Sequence, residues 1–163
     1  MQFIVKMSGI GYTMIKEIFQ GGGRIMDISE RQQIVEHYAE LVKEQYPQTN
    51  QYNVLVFGSF LTDRYTEQSD IDIGVFSLIP GLSFRIYSFT KDHFDKLGIN
   101  SDVVRMRLLE SQYINVSIVT GQKYAVTDYC PRELVDYIKR MIAQYGENPQ
   151  ETAVRLMRQE VIA

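Results

Sequence analysis

The stretch 54–76 constrains the fold more than any other part of this 163-residue chain. It opens with a short apolar run, breaks at Gly58-Ser59, and ends in a second run where acidic and apolar residues alternate. A short apolar run bounded by a glycine turn is typical of a buried strand, and alternation is typical of a strand with two unlike faces. We therefore predict two strands, Asn53 to Phe57 and Asp70 to Phe76.

Two aspartates lie at the start of the second predicted strand. Residues two apart on a strand point the same way, so Asp70 and Asp72 should share one face while Ile71 and Ile73 enter the core. Two carboxylates this close repel each other unless a cation lies between them. Mg²⁺ prefers oxygen ligands and commonly takes one or two carboxylates together with water and substrate phosphates. The pair therefore indicates a divalent-metal site.

The Gly58-Ser59 turn offers a place for a phosphate beside that pair. Gly58 permits unusual dihedrals and a close approach of the backbone, and Ser59 stands at the mouth of a short predicted helical turn. Free backbone N–H groups there, with a hydroxyl, favour an anion. A phosphate cradle next to paired carboxylates suits phosphoryl or nucleotidyl transfer, because two metal ions can stabilise the attacking and the leaving oxygen.

A third carboxylate, Asp102, begins another predicted strand, Asp102 to Leu108. If that strand neighbours the one with Asp70 and Asp72, Asp102 could help to bind the metal ion and act as a base toward the attacking hydroxyl. Taken singly, these motifs could be a tight turn, a solvated strand face and an acid at a strand start. Their joint occurrence favours a catalytic site.

Together these residues resemble the signature of the DNA polymerase beta-type nucleotidyltransferase superfamily: Gly58-Ser59, ten residues, then Asp70-Ile71-Asp72. The chain length is closest to the small stand-alone members, the minimal nucleotidyltransferases, and the resemblance covers roughly residues 30–125. It implies an α+β (α/β-like) fold, with a small mixed β-sheet packed on helices. It also implies transfer of a nucleoside monophosphate from an NTP to a hydroxyl, with release of pyrophosphate.

The resemblance implies two sets of site residues. The metal-binding and catalytic set is Asp70, Asp72 and Asp102, with two Mg²⁺ ions expected and Mn²⁺ as a substitute. The nucleotide-binding set is Gly58, Ser59, Arg64 and Ser69, with ATP as the default nucleotide.

Two departures from the family pattern concern the nucleotide-binding loop. Many members carry a small residue where this chain has Asp63, and a basic residue where it has Phe60. We expect Arg64 to supply the positive charge for the phosphates instead.

The sequence leaves the acceptor hydroxyl open. Small members of the family often act as antitoxins that adenylylate a protein partner, typically a helical HEPN-type ribonuclease, and the short chain favours this hypothesis. The first alternative is a small-molecule enzyme similar to the aminoglycoside nucleotidyltransferases, in which a homodimer partner would have to complete the cleft. The second alternative is a non-catalytic module that binds a nucleotide or a protein.

Charge and composition weigh against several other classes of function. A net charge of −3 and a pI near 5.4 argue against a long nucleic-acid substrate. The single cysteine, Cys130, rules out an intrachain disulfide, and we interpret it as a structural residue in a reducing cytoplasm. No run approaches the roughly 18 apolar residues of a membrane span.

We expect one nucleotidyltransferase domain over residues 26–163, preceded by an N-terminal extension over residues 1–25. The extension contains three glycines in a row just before Met26, which we interpret as the natural start. The alternative is an extra N-terminal helix packed on the domain.

Helices are expected on both sides of the central motif. The first should be capped by Ser29, with Gln32 completing a capping box, and should close before Pro47. The second should cover residues 84–97 and end at Leu97-Gly98. Its buried face should contain Phe84, Tyr87, Phe94 and Leu97. The C-terminal region 131–163 should hold two more helices, Glu133 to Tyr145 and residues 150–162.

Overall fold

The computed structural model describes residues 25–106 and 124–145. Their elements in chain order are α1 (Ile28–Gln45), β1 (Asn53–Phe57), β2 (Ile71–Phe76), α2 (Leu82–Leu97), β3 (Ser101–Arg105), β4 (Tyr124–Ala125) and α3 (Arg132–Tyr145). The N-terminal extension as far as residue 24 and the helix expected over residues 150–162 lie outside the described residues. No helix in the described ranges is both long enough and apolar enough to span a membrane.

The strands form a mixed four-stranded sheet in the order β3-β2-β1-β4. β1 runs antiparallel to both β2 and β4, whereas β2 and β3 are parallel. Parallel neighbours cannot be joined by a tight turn, and here α2 makes the crossover. The sequence prediction of an α+β fold with a small mixed sheet is therefore confirmed.

Both faces of the sheet are covered, because successive residues of a strand point to opposite faces. The larger core packs α1 and α2 against the sheet, and it includes Ile34, Tyr38, Val42, Val54, Val56, Ile71, Ile73, Ile86 and Phe94. The smaller cluster joins the sheet to α3 through Leu55, Phe76, Met106, Leu134 and Tyr137. Helices α1 and α2 therefore lie on the face opposite Asp72, whereas α3 packs on the same face of the sheet as Asp72.

Helix α1 begins earlier than predicted. Its N-cap is Asp27, not Ser29, and the capping box pairs Asp27 with Glu30. The Asp27 carboxylate accepts from the Glu30 N–H at 2.8 Å, and the Glu30 carboxylate accepts from the Asp27 N–H at 2.9 Å. Acidic side chains are favoured at the positive end of the helix dipole, which favours this pair over Ser29 and Gln32.

Helix α2 ends where expected, but one of its predicted core residues is exposed. Gly98 terminates the helix in the left-handed region at φ 70°. Phe84 is 54% exposed, since the buried stripe runs through Leu82, Ile86, Thr90 and Phe94 at intervals of four. Two positions along a helix from Leu82 is about 200° around its axis, so Phe84 must face away from the core.

The remaining boundaries differ by a residue or two. β2 begins at Ile71, so Asp70 immediately precedes the strand, and α3 begins at Arg132. β3 covers Ser101 to Arg105, and the predicted strand end at Leu108 lies outside the described residues. Cys130 is exposed, so it does not pack in the core.

Candidate active site

Gly58 ends β1 in a conformation that suits glycine on two grounds. Its φ is 73°, in the left-handed region that residues with a side chain rarely adopt. A Cβ built on it would lie 2.0 Å from Oδ2 of Asp72, far inside van der Waals contact. The carboxylate of Asp72 therefore occupies the space that a side chain at position 58 would need.

The three predicted carboxylates lie near one another at one edge of the sheet, where β2 and β3 begin. Asp72 on β2 lies opposite Asp102 on the parallel strand β3, and opposite Phe57 on β1. Asp70 is exposed and precedes β2 by one residue. The strand start is fixed by the Ile71 N–H, which donates to the Asn100 carbonyl at 2.9 Å. The chain thus brings together the three acids that the sequence analysis selected.

The carboxylate of Asp72 is half-buried and is the least exposed of the three. Burial, above all, and then the negative charges of Asp102 and Asp70 together raise the pKa of this carboxyl to about 6. Each cause disfavours the negative charge on Asp72. A cation placed at this edge would remove the repulsion, so the cluster has the electrostatic character of a cation site.

The donor set fits Mg²⁺ only if the substrate completes it. Within the described ranges, no group of three or more His, Cys, Asp or Glu side chains is gathered closely enough to hold a metal ion by itself. Asp70, Asp72 and Asp102 interact electrostatically without converging on one point. Mg²⁺ usually takes one or two carboxylates and fills its shell with water and phosphate oxygens, so a closed protein cage is not required.

Residues 59–69 form a loop that closes on itself beside the carboxylates. The Ser59 hydroxyl donates to the Ser69 hydroxyl at 3.3 Å, and the Ser69 hydroxyl accepts from the Thr66 N–H at 2.9 Å. The Ser59 carbonyl accepts from the Thr62 N–H at 3.0 Å and from the Thr62 hydroxyl at 2.9 Å. Two predicted nucleotide-binding residues, Ser59 and Ser69, are therefore in contact across the base of the loop.

Arg64 is exposed on the same loop. Its backbone N–H donates to the Thr62 hydroxyl at 3.2 Å, which fixes the main chain beneath an outward side chain. Phe60 points the other way: it is fully buried, and its ring meets Tyr65 edge-on at 5.6 Å. An apolar residue after Gly58-Ser59 thus serves as an anchor for the loop, which leaves Arg64 as the loop's free cation in the described structure.

The sequence analysis did not select Arg31, although it contacts this loop directly. Arg31 is only 6% exposed and donates to the carbonyls of Phe60 and Thr62. A signal was available, because Arg31, Ile34 and Tyr38 are spaced at three and seven along one face of α1. A buried cation requires hydrogen-bond acceptors, and here two backbone carbonyls of loop 59–69 supply them.

A model of the nucleotidyltransferase domain family matches residues 35–130, which is more than half of the chain and includes all three aspartates. The chain belongs to this family. The nucleotidyltransferase identity predicted from Gly58-Ser59 and Asp70-Ile71-Asp72 is therefore confirmed, and the protein is an enzyme of this class.

A curated relative points in the same direction. A Methanocaldococcus jannaschii protein, provisionally named a protein adenylyltransferase, is 31% identical over 91 residues, covering 56% of this nucleotidyltransferase and 90% of that protein.

Two crystal structures are more distantly similar. The toxin–antitoxin MntA-HpeT has 15% identity, a TM-score of 0.46, and coverage of 78% of this chain and 98% of that one. A toxin–antitoxin with AMP-PNP has 17% identity, a TM-score of 0.48, and coverage of 77% and 96%.

Proposed function

We propose that this nucleotidyltransferase transfers AMP from ATP, with Mg²⁺, to a hydroxyl group of a protein partner. The observation that carries the proposal is the contact between Gly58 and Asp72. It joins the phosphate turn to the carboxylate cluster with no room for an intervening side chain. That closeness is what a site needs if a triphosphate and its metal ion are to be bound together.

Each residue of the candidate site has a role in this reaction. Ser59, Ser69 and the amides of their loop would bind the triphosphate, and Arg64 would approach its outer oxygens. Asp70 and Asp72, with help from Asp102, would hold Mg²⁺. When bound, the metal ion neutralises the phosphates and stabilises the leaving pyrophosphate.

Asp102 is the base in this proposal. The acceptor oxygen attacks the α-phosphorus, the bond from that phosphorus to the bridging oxygen breaks, and pyrophosphate leaves. The proton of the attacking hydroxyl passes to the Asp102 carboxylate. Asp102 suits this role better than Asp72, because it is exposed near the start of β3 whereas Asp72 is half-buried against Gly58.

The acceptor class rests on one observation. The relative from M. jannaschii is named for protein adenylylation, and this chain covers most of that relative. A helical HEPN-type ribonuclease, with this protein as its antitoxin, is the partner that the family resemblance favours.

The direct test is label transfer from α-labelled ATP in the presence of Mg²⁺ and a lysate of the source organism. We expect one labelled protein with the wild type and with Asp95→Asn, an exposed carboxylate on α2, and none with Asp70→Asn/Asp72→Asn. Label on a small molecule would overturn the protein-acceptor proposal and favour the aminoglycoside-like alternative. No transfer with any of the four NTPs, with Mg²⁺ or Mn²⁺, would favour the binding module.

Metal binding can be tested without activity, by thermal unfolding. Mg²⁺ with a non-hydrolysable ATP analogue should raise the Tm of the wild type and of Asp95→Asn, but not of Asp72→Asn. In EDTA, Asp72→Asn should be at least as stable as the wild type, because it removes a half-buried charge that repels two neighbours. An equal Mg²⁺-dependent shift in both proteins would contradict the assignment of Asp72 as a metal ligand.

A further inference from the structure

Arg31 is a buried cation that holds the nucleotide-binding loop. A buried arginine is rare because its charge loses water, and it is tolerated only when its donors are satisfied. Arg31 is 6% exposed, and its Nε donates to the Asp27 carbonyl at 3.2 Å. Its Nη1 donates to the carbonyl of Phe60 and, at 3.0 Å, to that of Thr62. Its guanidinium also lies 4.2 Å from the centre of the Tyr65 ring.

Three of these four contacts fall on one short segment, residues 60–65, between the Gly58-Ser59 turn and Asp70. Arg31 comes from α1, whose apolar side chains pack against the sheet. Its Nη1 group therefore fastens the loop to that helix. Among the described residues, no carboxylate forms an ion pair with this guanidinium; its Nη1 donates to two carbonyls of the loop, and its Nε donates to the Asp27 carbonyl at the start of α1.

Thr62 connects Arg31 to the predicted nucleotide-binding residue Ser59 through hydrogen bonds. Its carbonyl accepts from Arg31, while its N–H and its hydroxyl both donate to the Ser59 carbonyl. The same hydroxyl accepts from the Arg64 N–H. A shift of Thr62 would therefore move the main chain at both Ser59 and Arg64.

We propose that Arg31 is a positioning residue, which sets the geometry of loop 59–69 for the triphosphate. It acts through the carbonyls of Phe60 and Thr62, and it touches no reacting atom. The part of this proposal that concerns catalysis rests on the proposed function, whereas the part that concerns the loop rests on the contacts alone.

The test compares two substitutions of Arg31 with a matched control. Arg31→Lys keeps the charge but loses the planar guanidinium, and Arg31→Met keeps an unbranched apolar stem but loses every donor. The control is Thr90→Val, which removes buried hydrogen bonds to Tyr38 and to the Ile86 carbonyl at the α1–α2 contact. It should lower stability without touching the loop.

The first measurement is hydrogen exchange of the purified protein without substrate. In Arg31→Met, the amides of Thr62, Arg64 and Thr66 should exchange about tenfold faster than in the wild type, since each donates within the loop that Arg31 fastens. In Thr90→Val these amides should keep their wild-type protection at an equal distance below Tm. Unchanged loop exchange in Arg31→Met would overturn the proposal, even if transfer activity were absent from every variant.

The second measurement is steady-state kinetics with ATP. A loop that binds the triphosphate alike in the ground and transition states should act on KM, so we expect KM to rise about tenfold in Arg31→Met with kcat nearly unchanged. Arg31→Lys should recover part of this loss, and Thr90→Val should keep the wild-type KM. A wild-type KM in Arg31→Met would contradict the positioning role. An absence of transfer in the wild type would count against the proposed function, and the exchange result would still decide the role of Arg31.

Discussion

The smallest scale at which this protein can be tested is the contact between Gly58 and Asp72. Gly58→Ala should lower kcat/KM at least about a hundredfold, because the new methyl group must displace the Asp72 carboxylate by an ångström or more. Gly98→Ala is the matched control. Gly98 has nearly the same φ, 70°, but nothing lies within 4 Å of the added atom.

Both alanine variants should share the strain of a left-handed residue, about 1–2 kcal/mol. Only Gly58→Ala should lose activity beyond that common drop in stability, as measured by denaturation alongside the kinetics. Equal activity in the two variants would mean that the Asp72 carboxylate does not need its observed place.

At the residue scale, the acids and the glycine were predictable, whereas the partners of Arg31 were not. Asp70, Asp72 and Gly58 follow from local rules, namely the two-residue period of strands and the sharp turn after β1. The partners of Arg31 are 29 and 31 residues away, and their positions depend on how α1 packs beside the loop. The local pattern of residues in the sequence does not show which distant segments come into contact.

At the scale of elements, the start of α1 offers a clear prediction. Asp27→Ala should lower the free energy of unfolding by about 1 kcal/mol, because it removes the side-chain acceptor of the capping box. Ser29→Ala should change it by only a few tenths, since Ser29 is an exposed residue within the helix. Urea denaturation distinguishes the two, and a larger loss in Ser29→Ala would reinstate the cap that the sequence favoured.

The main helices and strands were predicted to within a few residues, because each has a local signature. Gly98 stops α2 and the apolar run Val54–Val56 marks β1. The two-residue strand β4 was not predicted, since residues 113–126 show apolar residues at mixed spacing. Its residues pair with Leu55 and Val56 on the open side of β1. This pairing depends on the assembled sheet and not on a local sequence pattern.

At the scale of the whole molecule, His93 links stability to pH. It lies at the α1–α2 contact, stacked on Tyr38, and its Nε2 is buried without a hydrogen-bond partner in the described structure. Its pKa is lowered to about 4, mainly by burial and then by His37 and Lys96, while Asp92 opposes the shift.

The sign of this effect follows from proton binding. Below about pH 6.5 the unfolded chain takes up a proton at His93 that the folded chain refuses until about pH 4, so stability falls as the pH is lowered through that window. The full effect is roughly 3 kcal/mol. His93→Leu should flatten this part of the urea-denaturation profile, whereas His37→Gln should change it much less. An unaltered profile in His93→Leu would place the pH dependence elsewhere.

The Asp72 carboxylate occupies the space that a side chain at position 58 would need, and this has a consequence for how such enzymes lose activity in evolution. Any codon change that replaces the glycine adds at least one carbon atom where the carboxylate now lies. A homologue could therefore keep all three aspartates and still lack enzymatic activity. A sequence survey that infers activity from the three aspartates alone would count such inactive homologues as enzymes. The presence of glycine at position 58 would be a better marker of activity.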